Sequence, residues 1–259
     1  ETLLRGFLRR AYPIEAKFMA KIIYQDMRHG VSEGIMIEGI AQAAGVKAQR
    51  VRRANQLWGD LGQVALVALT GGEAALKEAS VRLFRPVKPM LAQTADGFDE
   101  VFGRLGDHLV LEYKLDGARV QIHRSGDKVR IYSRRLSDVT SSLPDVVSQV
   151  KDRLAAKKAI LDGEAVAVDE KGRPLPFQHL MRRFRRKRDV AATVQEVPVQ
   201  LYLFDALYLD GRSLVDTPNR ERWAALEKAA GGLALAARST PHGIEEAELF
   251  AEIALQAGH

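Results

Sequence analysis

The 259-residue chain contains no cysteine. That excludes disulfides, iron–sulfur clusters and thiolate zinc sites, and permits a reducing compartment without requiring one. No apolar run approaches the roughly 18 residues that a membrane span needs; the run from Val64 to Leu69 is core-sized. No phosphate-loop or dinucleotide glycine signature is present, which sets aside an ordinary ATPase or dehydrogenase. The six histidines are scattered and give no metal-ligand spacing. The first residue is Glu1, nothing near it resembles a signal peptide, and the chain reads as a piece of something longer.

What remains is an ordinary globular composition with a basic lean. Hydrophobic residues make up 46% and charged residues 28%, and 39 Lys and Arg against 33 Asp and Glu give a net charge of +6. A modest positive balance leans toward a polyanionic partner without specifying one. The length suits two domains or one large one.

The texture divides the chain. Residues 1–79 read as helices: Pro13 suits a first helical position, and Phe18, Met19, Ile22, Ile23 and Met27 follow it at helical spacing. Gly45 ends one helical segment and another restarts after Val46. Across residues 80–92, Arg85-Pro86-Val87-Lys88-Pro89 forces extended backbone and marks a linker. Residues 93–259 carry strand signals at Leu109–Tyr113, Val120–His123, Val129–Tyr132, Ile160–Val168 and Gln200–Tyr208, with turn chemistry at Ser125-Gly126-Asp127 and Asp169-Glu170-Lys171-Gly172. Helical stretches fall near 142–157, 178–188, 217–230 and 244–257. The pattern predicts an all-helical part followed by an α+β part with mostly antiparallel sheets.

One stretch concentrates charge where strands prefer neutral groups: Leu111-Glu112-Tyr113-Lys114-Leu115-Asp116-Gly117-Ala118-Arg119. Glu112, Lys114 and Asp116 fall at i, i+2 and i+4, so a continuous strand would show all three on one face. A strand lysine usually snorkels to water, and Asp-Gly after it is usually a turn. The clustering also suits a nucleophile. Bringing an ammonium from about 10.4 to near 7 takes about 4.6 kcal/mol of bias against its charge. Burial and a neighbouring cation such as Arg119 push that way, while Glu112 and Asp116 oppose it.

Lys114-Leu115-Asp116-Gly117-Ala118-Arg119 resembles the first signature of the covalent nucleotidyltransferases, which comprise DNA ligases, RNA ligases and capping enzymes. Ile131-Tyr132-Ser133-Arg134, Leu161-Asp162-Gly163-Glu164 and Leu203-Phe204-Asp205-Ala206 resemble the motifs that follow it, in order. In the helical part, Asp26-Met27-Arg28-His29-Gly30-Val31-Ser32-Glu33-Gly34 and Leu57-Trp58-Gly59-Asp60-Leu61-Gly62 resemble the DNA-binding domain of ATP-dependent DNA ligases of the archaeal and eukaryotic type. Arg85-Pro86-Val87-Lys88-Pro89-Met90-Leu91-Ala92 resembles the boundary segment of the same family.

The resemblance implies an all-helical DNA-binding segment (1–79), a linker (80–92) and part of an ATP-grasp-like adenylation domain (93–259). It implies that Lys114 attacks the α-phosphate of ATP, that Glu112 accepts from the adenine amino group and that Phe204 stacks on the ring. Arg119 and Arg134 would hold ribose and phosphate oxygens, for which a planar fork is preferred. Glu164 would face the ribose or a magnesium ion, with Asp116 as a second metal-side carboxylate, and Gly117 would let the chain turn around the lysine. Nicked duplex DNA would be the substrate and a sliding clamp a possible partner, for a monomer in a prokaryotic cytoplasm at the nucleoid. The basic run Arg182, Arg183, Arg185, Arg186, Lys187 and Arg188 reads either as a solvated helix face or as a contact to DNA phosphates.

Two departures bear on these expectations. Glu33-Gly34-Ile35-Met36 imitates the fourth ligase motif but precedes the lysine, so it reads as a helix start. The chain also stops near where the fourth motif would begin, so this piece by itself is expected not to seal nicks. The alternatives are an RNA ligase or other covalent nucleotidyltransferase, and a DNA-binding relic without catalysis.

Overall fold

The computed structural model describes residues 2–24, 30–185, 194 and 196–258. The chain combines helices with antiparallel and mixed sheets and divides into two compact units. One unit comprises residues 1–52 and 61–77, the other residues 53–60 and 78–259. Among the described residues no helix is long and apolar enough to cross a membrane.

The first unit is helical: α1 (Thr2–Arg10), α2 (Pro13–Ile23), α3 (Glu33–Ala44), the first half of α4 (Ala48–Trp58), and α5 (Leu61–Lys77). Pro13 opens α2 as its sequence position predicts. Ser32 caps α3 by accepting from the Ile35 N–H at 3.3 Å, so Glu33-Gly34-Ile35-Met36 is indeed a helix start. Gly45 ends α3 in the left-handed region (φ 64), which only glycine enters without a steric cost. Ile37 and Ile40 of α3 bury with Val64 and Ala68 of α5. The apolar stripe of α2 behaves otherwise. Phe18, Ile22 and Ile23 lie on the helix but stay exposed, and Met27 falls outside the described residues.

The second unit is built on a six-stranded sheet. Its strands are β2 (Ala118–Ser125), β3 (Lys128–Ser133), β4 (Lys158–Ala167), β5 (Val199–Leu209), β6 (Arg212–Ser213) and β7 (Ala234–Leu235). The order is β3-β2-β4-β5-β6, antiparallel throughout, with β7 parallel to β5. A separate two-stranded pair joins β1 (Leu111–Glu112) to β8 (Arg238–Ser239). Among the described residues the longer helices of this unit are α6 (Phe98–Leu105), α7 (Pro144–Arg153), α8 (Phe177–Arg185), α9 (Asn219–Ala230) and α10 (Ile244–Gln256). Gly126 and Asp127 form the two-residue β2–β3 loop that the turn chemistry of Ser125-Gly126-Asp127 predicts. The strand expected over Leu109–Tyr113 shrinks to Leu111 and Glu112, because pairing with β8 lasts only two residues.

Period-two alternation gives this sheet two different faces. Val120, Ile122, Leu161, Ala165, Leu201 and Leu203 point to one side and bury against Val146 and Val150 of α7, Leu180 of α8 and Leu226 of α9. Each fully buried aliphatic side chain of this kind contributes roughly 1.5–3 kcal/mol. The other side carries Arg119, Gln121 and His123 of β2, Asp162, Glu164 and Val166 of β4, and Tyr202 and Phe204 of β5. On that side Leu115, Val166 and Ala236 form a small apolar cluster against Tyr113, Tyr202 and Phe204.

Candidate functional site

The charged residues singled out in the sequence collect on the second face of the sheet. β1 stops at Glu112, so Glu112, Lys114 and Asp116 do not share one strand face as the spacing predicted. The Leu115 N–H instead donates to the Tyr113 carbonyl at 3.1 Å. That i to i+2 bond makes a γ-turn with Lys114 at its corner, and the ammonium stands exposed. Leu115 after it is buried and anchors the turn.

Gly117 has a different role from the turn expected of it. Its φ is not in the left-handed region, but a Cβ there would lie 2.4 Å from the Ala165 carbonyl oxygen and 3.0 Å from Glu164 Cγ. The glycine lets the lysine segment press against the backbone of β4. Asp116 accepts the Phe177 N–H at 3.1 Å, so it ties the lysine turn to the start of α8.

Glu164 stands opposite Arg119 in the β2–β4 ladder. Burial pushes its carboxyl up to about 7; Lys114 and Arg119 pull it down and Asp116 adds to the rise. Arg119 donates to Asp162 at 2.6 Å and lies over the Phe204 ring, 5.6 Å from its centroid. Phe204 owes its position to a β-bulge. Asp162 pairs with Asp205 and Gly163 with Leu203, which leaves Phe204 as the unpaired extra residue. Gly163 permits the bulge, since a Cβ there would meet the Tyr202 carbonyl at 2.6 Å.

Glu112 pairs across β1–β8 with Arg238. Burial raises its carboxyl above the ordinary range, Arg238 opposes the rise and Asp205 adds to it. Arg238 stacks on Trp223 at 4.3 Å and donates to Asn219 at 3.0 Å. Asp205 is held by Arg222 through bonds of 2.8 and 2.9 Å. Arg134 is exposed on the turn after β3 and borders the same recess as Arg119, Gln121 and Asp162.

The basic run divides. Arg182 is exposed on α8. Arg183 is withdrawn from any DNA contact: it is buried and donates to both Asp145 oxygens at 2.7 Å and to the Val197 carbonyl at 3.1 Å. A carboxylate already held through two parallel bonds outcompetes a solvent phosphate for its guanidinium. Arg186, Lys187 and Arg188 lie outside the described residues, as does the side chain of Arg185.

Sequence reading gives no role to Asp162, Gln121, His123 or Arg238. The first three had a visible signal, because Gln121 and His123 alternate with Arg119 at period two and Asp162 sits two residues before Glu164. Arg238 had none, since its place beside Glu112 arises from a pairing between strands far apart in sequence.

Residues 89–259 match the family model described as the ATP dependent DNA ligase domain. A DNA ligase of Thermococcus onnurineus (strain NA1) is 46% identical over 99% of this chain, and one of Archaeoglobus fulgidus is 42% identical over 99%. A probable DNA ligase of Anaeromyxobacter sp. (strain Fw109-5) is 45% identical over 99%. The chain spans 46%, 46% and 49% of those relatives' own lengths. Among solved structures, the ligase domain from M. tuberculosis LigD aligns with 57% of this chain and 44% of its own, at TM-score 0.43 and 30% identity. Because the family model spans more than half of its residues, the chain belongs to the ATP-dependent DNA ligase domain family.

Proposed function

We propose that this chain is the nucleotide-loading part of an ATP-dependent DNA ligase. The observation that carries the reading is an exposed lysine corner whose neighbour Gly117 presses against Ala165 and Glu164, on the sheet face that also carries the Arg119–Phe204 pair. Lys114 Nζ, as the free amine, attacks the α-phosphorus of ATP; a P–N bond forms, the α–β P–O bond breaks, pyrophosphate leaves and the nitrogen sheds one proton to solvent. AMP then passes from Lys114 to the 5′-phosphate of a nick, and the 3′-hydroxyl displaces it.

The remaining side chains bind and orient. Phe204 offers a ring face for adenine, and Glu112 accepts from the exocyclic amine, favouring ATP over GTP. Arg119 and Arg134 take ribose and phosphate oxygens. Among the described residues no group of three His, Cys, Asp or Glu gathers into a complete cation cage. The oxygen donors near the lysine, Glu164 and the free oxygen of Asp116, still fit magnesium, which readily takes one or two carboxylates together with substrate phosphates and water. Bound there, the ion supplies neutralisation of phosphate charge.

On the same reading, residues 1–79 are the helical DNA-binding segment, 80–92 the linker and 93–259 the ATP-grasp-like adenylation part. Nicked duplex DNA is the substrate, Arg182 meets its phosphates, and a monomeric prokaryotic enzyme at the nucleoid is the setting, with a sliding clamp as partner.

The test is the intact mass after incubation with ATP and magnesium. A gain of one AMP in the wild-type chain, absent in Lys114→Ala, supports the reading. An adduct that survives Lys114→Ala sinks it.

A further inference from the structure

The hydrogen bonds behind Arg119 form a chain in which every donor and acceptor is determined. The Phe84 N–H donates to His123 Nδ1 at 2.8 Å. A backbone N–H can only donate, so Nδ1 is the acceptor and the ring proton sits on Nε2. Nε2 therefore donates to Gln121 Oε1 at 2.9 Å, and the same oxygen accepts the Val87 N–H at 2.7 Å. With Oε1 turned toward two donors, the Gln121 amide nitrogen faces the other way. It donates to the Val87 carbonyl at 3.3 Å and to Asp162 Oδ1 at 3.1 Å. Asp162 Oδ2 is left to hold Arg119 at 2.6 Å.

Flipping the Gln121 amide would set its NH2 against the Val87 N–H and the His123 Nε2–H, and its oxygen against the Asp162 carboxylate. The orientation is locked from both ends. Gln121, His123 and Asp162 are all buried, where a satisfied polar network gains rigidity and an unsatisfied one is costly. Gln121 lines the recess beside Arg119 and Arg134, but its amide oxygen and nitrogen are already bonded to Val87, His123 and Asp162, and His123 is wholly buried behind it, so their contribution to chemistry runs through Arg119.

We propose that Gln121 and His123 are positioning residues for nucleotide binding: they orient Asp162, and through it fix the Arg119 guanidinium where it meets phosphate and ribose oxygens of ATP. This rests on the nucleotide-loading function proposed above. Without the relay, Asp162 turns freely and Arg119 samples several directions before ATP arrives.

A donor–acceptor swap tests it. In Gln121→Glu the new carboxylate still accepts from the Val87 N–H and His123, loses the long bond to the Val87 carbonyl and opposes Asp162. In Asp162→Asn the amide still accepts from Arg119 but meets the Gln121 NH2. Combining the two restores a donor–acceptor pair, because the new amide at position 162 donates to the new carboxylate at position 121 and accepts from Arg119. The readout is the ATP dependence of lysine–AMP formation. Each single variant is expected to raise KM about tenfold, the scale of one hydrogen bond to a charged group, with kcat little changed. The double variant is expected to return to within about threefold of wild type.

A purely structural role would lower the active fraction and leave KM alone, and that result overturns the proposal, as does failure of the double variant to recover. A second measurement needs no nucleotide. In nitrogen-15 spectra of the free chain, the Arg119 guanidinium protons should exchange slowly in wild type and in the double variant, and fast in the singles. Fast exchange in wild type overturns the relay. Slow exchange in a wild-type chain that forms no AMP adduct leaves the relay standing and counts against the Lys114 reading alone. If one single variant does not fold, the other with the double completes the comparison.

Discussion

Strand β2 carries two arginines, Arg119 and Arg124, that are handled in opposite ways. Arg124, at the hairpin end, is buried and spends its donors on the chain itself. Nε bonds the Gly126 carbonyl at 3.0 Å, Nη1 the Val150 and Leu154 carbonyls at 2.9 and 2.7 Å, and Nη2 the Lys151 carbonyl at 3.2 Å. Three of these carbonyls lie at the end of α7, the negative end of its dipole, where Val150 also accepts the Leu154 N–H at 3.2 Å. Arg119, at the other end, is held by Asp162 with a ring beneath it, and its side chain is 32% exposed. One arginine closes a helix and has no capacity left for a ligand. The other is aimed from behind and open in front, which is what a binding residue requires.

The same conservative substitution at both ends should separate the two roles. Arg124→Lys puts one ammonium where four carbonyls are spread around a planar fork, and two or more carbonyls lose their partner. Urea unfolding should show a loss of about 3 kcal/mol, with KM for ATP unchanged in lysine–AMP formation. Arg119→Lys keeps the charge beside Asp162 and should unfold within about 1 kcal/mol of wild type, yet raise KM for ATP by about tenfold or more. Equal effects of the two on either readout would break the comparison.

Gly117→Ala comes next. Its Cβ would meet the Ala165 carbonyl at 2.4 Å, so the lysine turn must lift off β4. A loss of about 2 kcal/mol in unfolding free energy is expected, accompanied by slower adduct formation. Phe204→Leu should be milder in stability, below about 1.5 kcal/mol, because the ring covers only a small apolar cluster. Its effect should appear in nucleotide affinity, measured by calorimetry with ATP.

The last effect is in pH dependence. Burial pushes the His123 imidazole down to about 3, against an ordinary 6.5. Between those values the unfolded chain binds the extra proton, so stability falls as pH falls, by up to about 1.4 kcal/mol per pH unit. Glu164 is raised to about 7 from 4.5, so there the folded chain binds the extra proton and stability falls as pH rises. The two slopes oppose each other between about 4.5 and 6.5. Glu164→Gln should therefore expose the His123 slope, seen as a melting temperature that climbs more steeply with pH than in wild type.

Much of the architecture was legible because it rests on local chemistry. Pro13, Gly45 and the stretch from Glu33 mark helix ends through backbone preferences that need no distant partner. The alternation in β2, β4 and β5 encodes which residues share a face. Lys114, Arg119, Glu164 and Phe204 stood out as motif residues, and the sheet brings them together. The errors have a common origin. Leu109–Tyr113 looked like a full strand, but its partner β8 is two residues long. Arg183 looked like one more cation in a basic run, yet Asp145, 38 positions earlier, holds it buried.

The sequence by itself determined the element types, the turns and the set of groups able to do the chemistry, because propensity, capping and period-two patterning act over a few residues. Only the tertiary structure decided how those groups are held. The close approach of Gly117 to β4, the bulge that presents Phe204, the meeting of Glu112 with Arg238, and the polar chain from Phe84 to Arg119 all depend on segments far apart in sequence coming within a few ångströms. At that range the position of one carbonyl or one amide hydrogen decides which side chains are free to bind and which are already spent.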